Sequence, residues 1–130
     1  RVVLTNLDAI EFIDFVDREL PANSLLYLDP PYFEKGSELY KKFYVESDHE
    51  LVARRMLELQ RPWIVSYDYH PALINLYSDV RHIDYPLGYS AAKRYKGHEV
   101  MFFSPNLGIP HVENPSKVKQ ADIWQQELNL

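Results

Sequence analysis

The sequence predicts an α/β fold, with an open and mainly parallel sheet whose last strand runs antiparallel. Short apolar runs alternate with segments of helical periodicity, and strands that alternate with helices form parallel β-α-β units. The last two apolar runs, at 80–85 and 99–103, are joined by a loop without a helix, so they are free to pair antiparallel.

The elements predicted up to residue 60 are a strand at 2–4, a helix at 8–20, a strand at 24–28, a loop at 33–46 and a helix at 47–60. Apolar residues at mixed helical spacings indicate that the first helix is mostly buried. Asp8 and Glu11 match a capping box at its start. Ser47 and Glu50 form a second capping box, which predicts a helix with Leu51, Val52, Met56 and Leu59 turned inward.

The elements predicted beyond residue 60 are a strand at 63–67, a short helix at 71–77, a strand at 80–85, a loop at 86–97 and a strand at 99–103. Three prolines then punctuate a stretch of low apolar content. Such a stretch is ordered only where it docks, so we divide the chain into a domain at 1–104 and a tail at 105–130.

The composition excludes several classes of protein. The chain has 130 residues, no cysteine and a formal net charge of −5. Disulfides and thiolate metal sites are therefore excluded, and the five histidines lack the paired spacing of metal ligands, so we expect no metal. No apolar run approaches the ~20 residues of a membrane span, and no signal peptide precedes the first strand, so we expect a cytoplasmic protein.

Asp29, Pro30, Pro31 and Tyr32 follow the apolar run at 24–28 directly. Two prolines end a strand and stiffen the turn, which fixes the Asp29 carboxylate, the Pro30 carbonyl and the Tyr32 ring at the strand's carboxyl end. Ligands bind at this edge of open α/β sheets. Two acceptors beside an aromatic ring suit a flat ligand with an NH2 group, such as an extruded nucleobase.

The segment 27–32, Tyr-Leu-Asp-Pro-Pro-Tyr, resembles the catalytic motif of the Dam-like DNA adenine-N6 methyltransferases. The segment 64–68 with Leu76 and Tyr77 is similar to the next strand and helix of that family. Tyr89, Arg94 and 99–102 are similar to its closing loop and strand, and 5–8 to the segment that contacts the cofactor. The similarity thus runs in consistent order from about residue 2 to residue 106.

The resemblance implies a Rossmann-like class I methyltransferase fold and transfer of a methyl group from S-adenosylmethionine to a flipped adenine. Asp29 and Pro30 would hold the amine on the rigid turn that Pro31 completes, and Tyr32 would stack on the base. Asp8 would contact the cofactor, beside Asp29 and Phe33. Asp8 also has a structural interpretation, as the cap of the first helix.

The chain departs from the family in lacking a glycine-rich loop and the acid that binds the cofactor's ribose. We therefore expect the carboxyl-terminal half of a catalytic domain, with its first strands missing, of bacterial or phage origin. The full-length protein is the expected enzyme, and this part alone is expected to be inactive. A non-catalytic remnant or interaction module is the alternative. RNA or a protein amide is an alternative substrate, because the motif alone does not select DNA.

Double-stranded DNA is the expected partner, although an acidic chain is a poor DNA binder by itself. The residues predicted to contact DNA or line its pocket are Tyr44, Lys41, Lys42, Lys93, Arg94, Ser66 and Tyr67. For each basic residue, solvated surface charge is the competing interpretation. A half sheet also has an unpaired edge, so we expect self-association near the strand at 24–28.

Overall fold

A computed structural model describes residues 2–33, 44–87, 97–109 and 114–117. The helices are α1 (Ala9–Glu19), α2 (Glu46–Glu58) and α3 (Pro71–Leu76), and a 3-10 turn spans Pro115–Lys117. The strands are β1 (Leu26–Leu28), β2 (Trp63–Asp68), β3 (Arg81–Pro86) and β4 (His98–Phe103). The α/β class is confirmed. The loop interiors and most of the predicted tail lie outside the described residues.

The four strands form an open mixed sheet in the order β1-β2-β4-β3. β1 pairs parallel with β2, whereas β4 pairs antiparallel with both β2 and β3. The antiparallel last strand is confirmed. Three of the four described strands, β1, β2 and β3, run in the same direction, as a mainly parallel sheet requires. Only one of the three pairings is parallel, because β4 inserts between β2 and β3.

The three helices pack on one face of the sheet. Ile13 and Val16 of α1, Val52 and Met56 of α2, and Leu73 of α3 join one core cluster. The sheet contributes Leu26, Trp63, Val65, Tyr67, Val100 and Phe102 to the same cluster. Side chains alternate between the faces of a strand, so Tyr27, Ser66 and Glu99 belong to the opposite face.

Three details of the predicted elements are wrong. Residues 2–4 form no strand and are exposed, since no neighbouring strand pairs with them in the described structure. The first helix is half-buried rather than mostly buried, and Phe15 is 40% exposed. Leu51 is exposed, and the inward position is taken by His49, which precedes Val52 and Ala53 on the buried side of α2.

The start of α2 also differs from the prediction. The helix begins at Glu46 after Val45, so Ser47 lies inside its first turn and does not cap it. The Asp48 carboxylate accepts a hydrogen bond from the Val45 N–H at 2.9 Å. An acid in the first turn thus supports the helix end, as it does in a capping box, although Val45 has no side-chain acceptor.

Two arginines connect elements on the helix-covered face of the sheet. Arg55 of α2 donates to Asp14 at 2.7 Å and to Asp17 at 2.9 Å, both on α1. The Arg55 hydrogen bond lowers the pKa of Asp17, and burial opposes that effect. Arg61 is buried and donates to the carbonyls of Asp17 and Pro21, so it satisfies the carboxyl end of α1.

The two ends of the connection between β3 and β4, at Leu87 and Gly97, lie close together. The Leu87 N–H donates to the Gly97 carbonyl at 3.0 Å. A Cβ atom at position 97 would lie 2.8 Å from Leu87 Cδ1, so a side chain there would require the exposed Leu87 side chain to shift. At the other side of the sheet, β1 is an edge strand of the described part, and self-association there stays a prediction.

Candidate active site

The turn after β1 places Asp29 at the carboxyl end of the parallel β1–β2 pair. Asp29 is exposed, and Pro30 and Pro31 are half-buried behind it. The prolines end β1 at Leu28 because they offer no N–H to a sheet. The sequence therefore predicted correctly that a carboxylate emerges at this edge on a stiff turn.

Ser66 lies on the neighbouring strand beside Asp29. The register Leu28↔Val65, extended by one residue, brings these two positions together. The Ser66 hydroxyl donates to Asp29 Oδ1 at 2.9 Å. Ser66 was predicted as a pocket residue, and the structure places its hydroxyl on the candidate catalytic carboxylate.

An open cavity of about 480 Å³ lies in front of the turn. Its volume falls within the range of ligand pockets, about 300–1,000 Å³. The lining residues are Val3, Leu4, Thr5, Leu7, Ala9, Phe12, Leu28, Asp29, Pro30, Pro31, Tyr44 and Val52. The cavity thus forms between the amino-terminal segment and the turn, with mostly apolar walls and Asp29 at one side.

Asp8 caps α1, as its structural interpretation predicted. Its carboxylate accepts from the Ile10 N–H at 2.9 Å, and Glu11 accepts from the Asp8 N–H at 3.4 Å. Asp8 is not among the residues that line the cavity, whereas its neighbours Leu7 and Ala9 are. A cofactor contact by Asp8 stays a prediction.

Tyr32 and Phe33 lie beside the cavity and do not line it. Tyr32 is 38% exposed, so part of its surface is accessible. The Phe33 N–H donates to Asp68 Oδ1 at 2.9 Å, which ties the end of the turn to the end of β2. The Phe33 ring stacks on His70 at 4.5 Å and contacts His49 at 5.0 Å.

His49 is a buried residue that sequence reasoning missed. Its Nδ1 lies 3.1 Å from the Tyr67 hydroxyl, and the rings of Phe33, Tyr44 and Tyr67 surround it. The helical register of Val52 and Met56 was the available signal, because His49 precedes Val52 by one turn and Met56 by two. Tyr67, predicted as a substrate contact, is buried here, and burial raises its pKa.

Acidification is expected to destabilise the protein through His49. Burial lowers the pKa of His49 below its ordinary 6.5, against the opposing charges of Asp48 and Asp68. Below pH 6.5 the unfolded chain binds a proton that the folded protein does not, so stability falls as the pH drops towards the folded pKa. The slope from one such group is at most about 1.4 kcal/mol per pH unit.

Urea unfolding between pH 7.5 and 5 measures this effect. His49→Gln is expected to flatten the pH dependence, because it removes the titrating group. His82→Gln, at an exposed position of β3, is the matched control and should keep the wild-type slope. Equal slopes for all three proteins would contradict the assignment to His49.

Tyr44 lines the cavity, and burial, with Asp8 and Asp48 nearby, raises its pKa. Four predicted DNA contacts, Lys41, Lys42, Lys93 and Arg94, lie outside the described residues. Within the described ranges, no group of three or more acidic or histidine side chains could hold a metal ion. No helix in the same ranges is long and apolar enough to cross a membrane.

The site combines an aspartate on a proline turn with a mostly apolar cavity at the edge of an α/β sheet. No protein-family model matches the chain, and the curated proteins include no match to it either. The functional conclusion therefore depends on the residues and their geometry.

Proposed function

We propose that this chain is the carboxyl-terminal part of a DNA adenine-N6 methyltransferase, which transfers a methyl group from S-adenosylmethionine to a flipped adenine. One observation carries the proposal: Asp29 stands on a proline turn at the carboxyl end of β1 and is among the residues that line a cavity of about 480 Å³. The ordered sequence resemblance to the Dam-like methyltransferases, which have a Rossmann-like class I fold, is its second support.

Asp29 and the Pro30 carbonyl act as the two acceptors for the amine. An aromatic amine is a weak nucleophile because its lone pair is delocalised into the ring. Hydrogen bonds from both N–H groups to fixed acceptors keep the lone pair on nitrogen and stabilise the positive charge that develops there. In the described part of the chain, no backbone N–H occupies the Pro30 carbonyl.

The cavity suits part of the cofactor. S-adenosylmethionine supplies an electrophilic methyl group when it is bound. Leu7, Phe12 and Leu28 provide apolar walls for its flat adenine ring, and Asp29 stands beside them. The chain has no G-x-G sequence for the methionine end, so it supplies only some of the contacts that such a cofactor needs.

DNA is the proposed substrate, with its phosphates held by Lys41, Lys42, Lys93 and Arg94. The net charge of −5 means that these local groups must act against an acidic background. The intact protein should form N6-methyladenine in duplex DNA when given labelled S-adenosylmethionine. Methyl transfer to RNA or to a peptide amide instead would overturn the choice of DNA.

A second candidate is a non-catalytic remnant or interaction module that keeps the half sheet. The acidic charge and the missing glycine-rich loop favour it. Calorimetric titration of residues 1–130 with S-adenosylmethionine separates the two functions. We expect weak binding, with a Kd of about 0.1–1 mM, corresponding to roughly −5.5 to −4.1 kcal/mol, from a partial site.

Two matched variants test whether S-adenosylmethionine binds in the cavity. Leu7→Glu places a charge in the apolar wall, so we expect binding to be lost. Leu20→Glu is the control, because Leu20 has a similar exposure but follows α1 and does not line the cavity. Absence of heat from the unmodified chain would favour the remnant.

A further inference from the structure

A chain of two hydrogen bonds leads from β1 through β2 to the candidate catalytic carboxylate. Tyr27 and Asp29 are two residues apart, so their side chains leave the same face of the strand. Ser66 lies on the neighbouring strand β2, and its hydroxyl contacts both side chains. Its Oγ is 2.8 Å from the Tyr27 hydroxyl and 2.9 Å from Asp29 Oδ1.

The number of hydroxyl protons determines which group donates in each bond of this Tyr27–Ser66–Asp29 relay. An ionised carboxylate only accepts, so the Ser66 hydroxyl donates its single proton to Asp29 Oδ1. Ser66 then has only lone pairs for its second partner. The Tyr27 hydroxyl must therefore be the donor in the 2.8 Å bond.

We propose that Tyr27 and Ser66 are positioning residues that orient the Asp29 carboxylate for the incoming amine. The inference rests on the proposed function, because it assigns them to the same reaction. Terminal torsions of aspartate side chains are broad, so a carboxylate without a partner turns easily. The Ser66 bond holds Oδ1, so the carboxylate keeps one orientation in which its other oxygen, Oδ2, can accept from the amine.

The burial of the three residues supports this division of roles. Ser66 is only 5% exposed on β2, a strand with partners on both sides, so it provides a rigid reference point. Its hydroxyl proton is already committed to Asp29, which argues for a role through Asp29 rather than through contact with DNA. Tyr27 is 53% exposed, yet its hydroxyl turns back onto Ser66.

A double-mutant cycle in the intact protein tests the proposal. Ser66→Ala should lower kcat by about 10- to 100-fold while the KM for DNA changes little, since misplacement of a reacting group slows chemistry more than binding. Tyr27→Phe removes only the hydroxyl and should lower kcat by roughly 3- to 10-fold, as Ser66 keeps its own bond to Asp29.

The double variant distinguishes a positioning role from a merely structural one. If Tyr27 acts only through Ser66, the variant that carries both changes should have the kcat of Ser66→Ala alone. Multiplicative losses would overturn the relay, and so would a wild-type kcat for Ser66→Ala. If Ser66→Ala failed to fold, the kcat and KM of Tyr27→Phe would still test the proposal, because that variant keeps the ring in place.

The two proposals fail in different ways. A loss of activity in Asp29→Ala together with full activity in Ser66→Ala and Tyr27→Phe overturns the positioning roles and leaves the proposed function standing. Absence of adenine methylation by the unmodified intact protein overturns both. Reduced kcat in both single variants, without additivity in the double variant, supports both.

Discussion

Asp29→Ala is expected to abolish measurable methyl transfer to adenine by the intact protein. The substitution removes the carboxylate that receives the amine and leaves only the Pro30 carbonyl. Loss of one preorganised group of this kind typically costs about 10²- to 10³-fold in kcat. Asp29 is exposed at the end of β1, so the fold should tolerate the change.

Two further variants make the result specific. Asp29→Asn keeps one acceptor oxygen but replaces the other with a donor, so we expect activity between those of the alanine variant and the wild type. Asp79→Ala is the matched control, because Asp79 is exposed in the turn before β3 and outside the cavity lining. Wild-type kcat in Asp29→Ala would refute the catalytic role.

Phe102→Ala is expected to cause the largest loss of stability. Phe102 is fully buried in β4, and its ring stacks on Tyr77 with centroids 4.4 Å apart. Removing a buried phenylalanine costs about 3–5 kcal/mol, from lost transfer energy and the cavity that remains. Small domains have about 5–15 kcal/mol of stability, so this variant should be marginally folded.

Equilibrium urea unfolding measures the effect, and Phe15→Ala supplies the same chemical change at an exposed position. Phe15 is 40% exposed on α1, so its loss should cost under about 1 kcal/mol. The contrast depends mainly on burial, because both variants lose the same ring and the propensity changes in a helix and a strand are each under about 1 kcal/mol. Equal losses in the two variants would show that Phe102 does not occupy the core described for β4.

The sequence predicts local features of this fold well. The apolar run before Asp29, the prolines after it and the Asp8 cap are all read from neighbouring residues, and the structure confirms them. The position of β4 between β2 and β3 could not be read in this way. Strand order is decided by pairing across long separations in sequence, and local periodicity carries little information about it.

In the candidate site too, the sequence predicts local features but not those that depend on pairing between distant segments. Asp29 and Ser66 were expected at one sheet edge, but their hydrogen bond depends on a register that the sequence does not specify. Tyr27 became relevant only through that register. His49 has the pattern of an ordinary helical polar residue, so its burial beside Tyr67 required the packing of α2 against the sheet.

The contact between Leu87 and Gly97 has a consequence for how such a protein changes over evolution. The hydrogen bond that joins these residues fastens both ends of the connection to the sheet. Each doubling in the length of a flexible connection costs only about 0.6 kcal/mol in closure entropy. A change in the number of residues between positions 87 and 97 is therefore expected to cost little, while β3 and β4 keep their pairing.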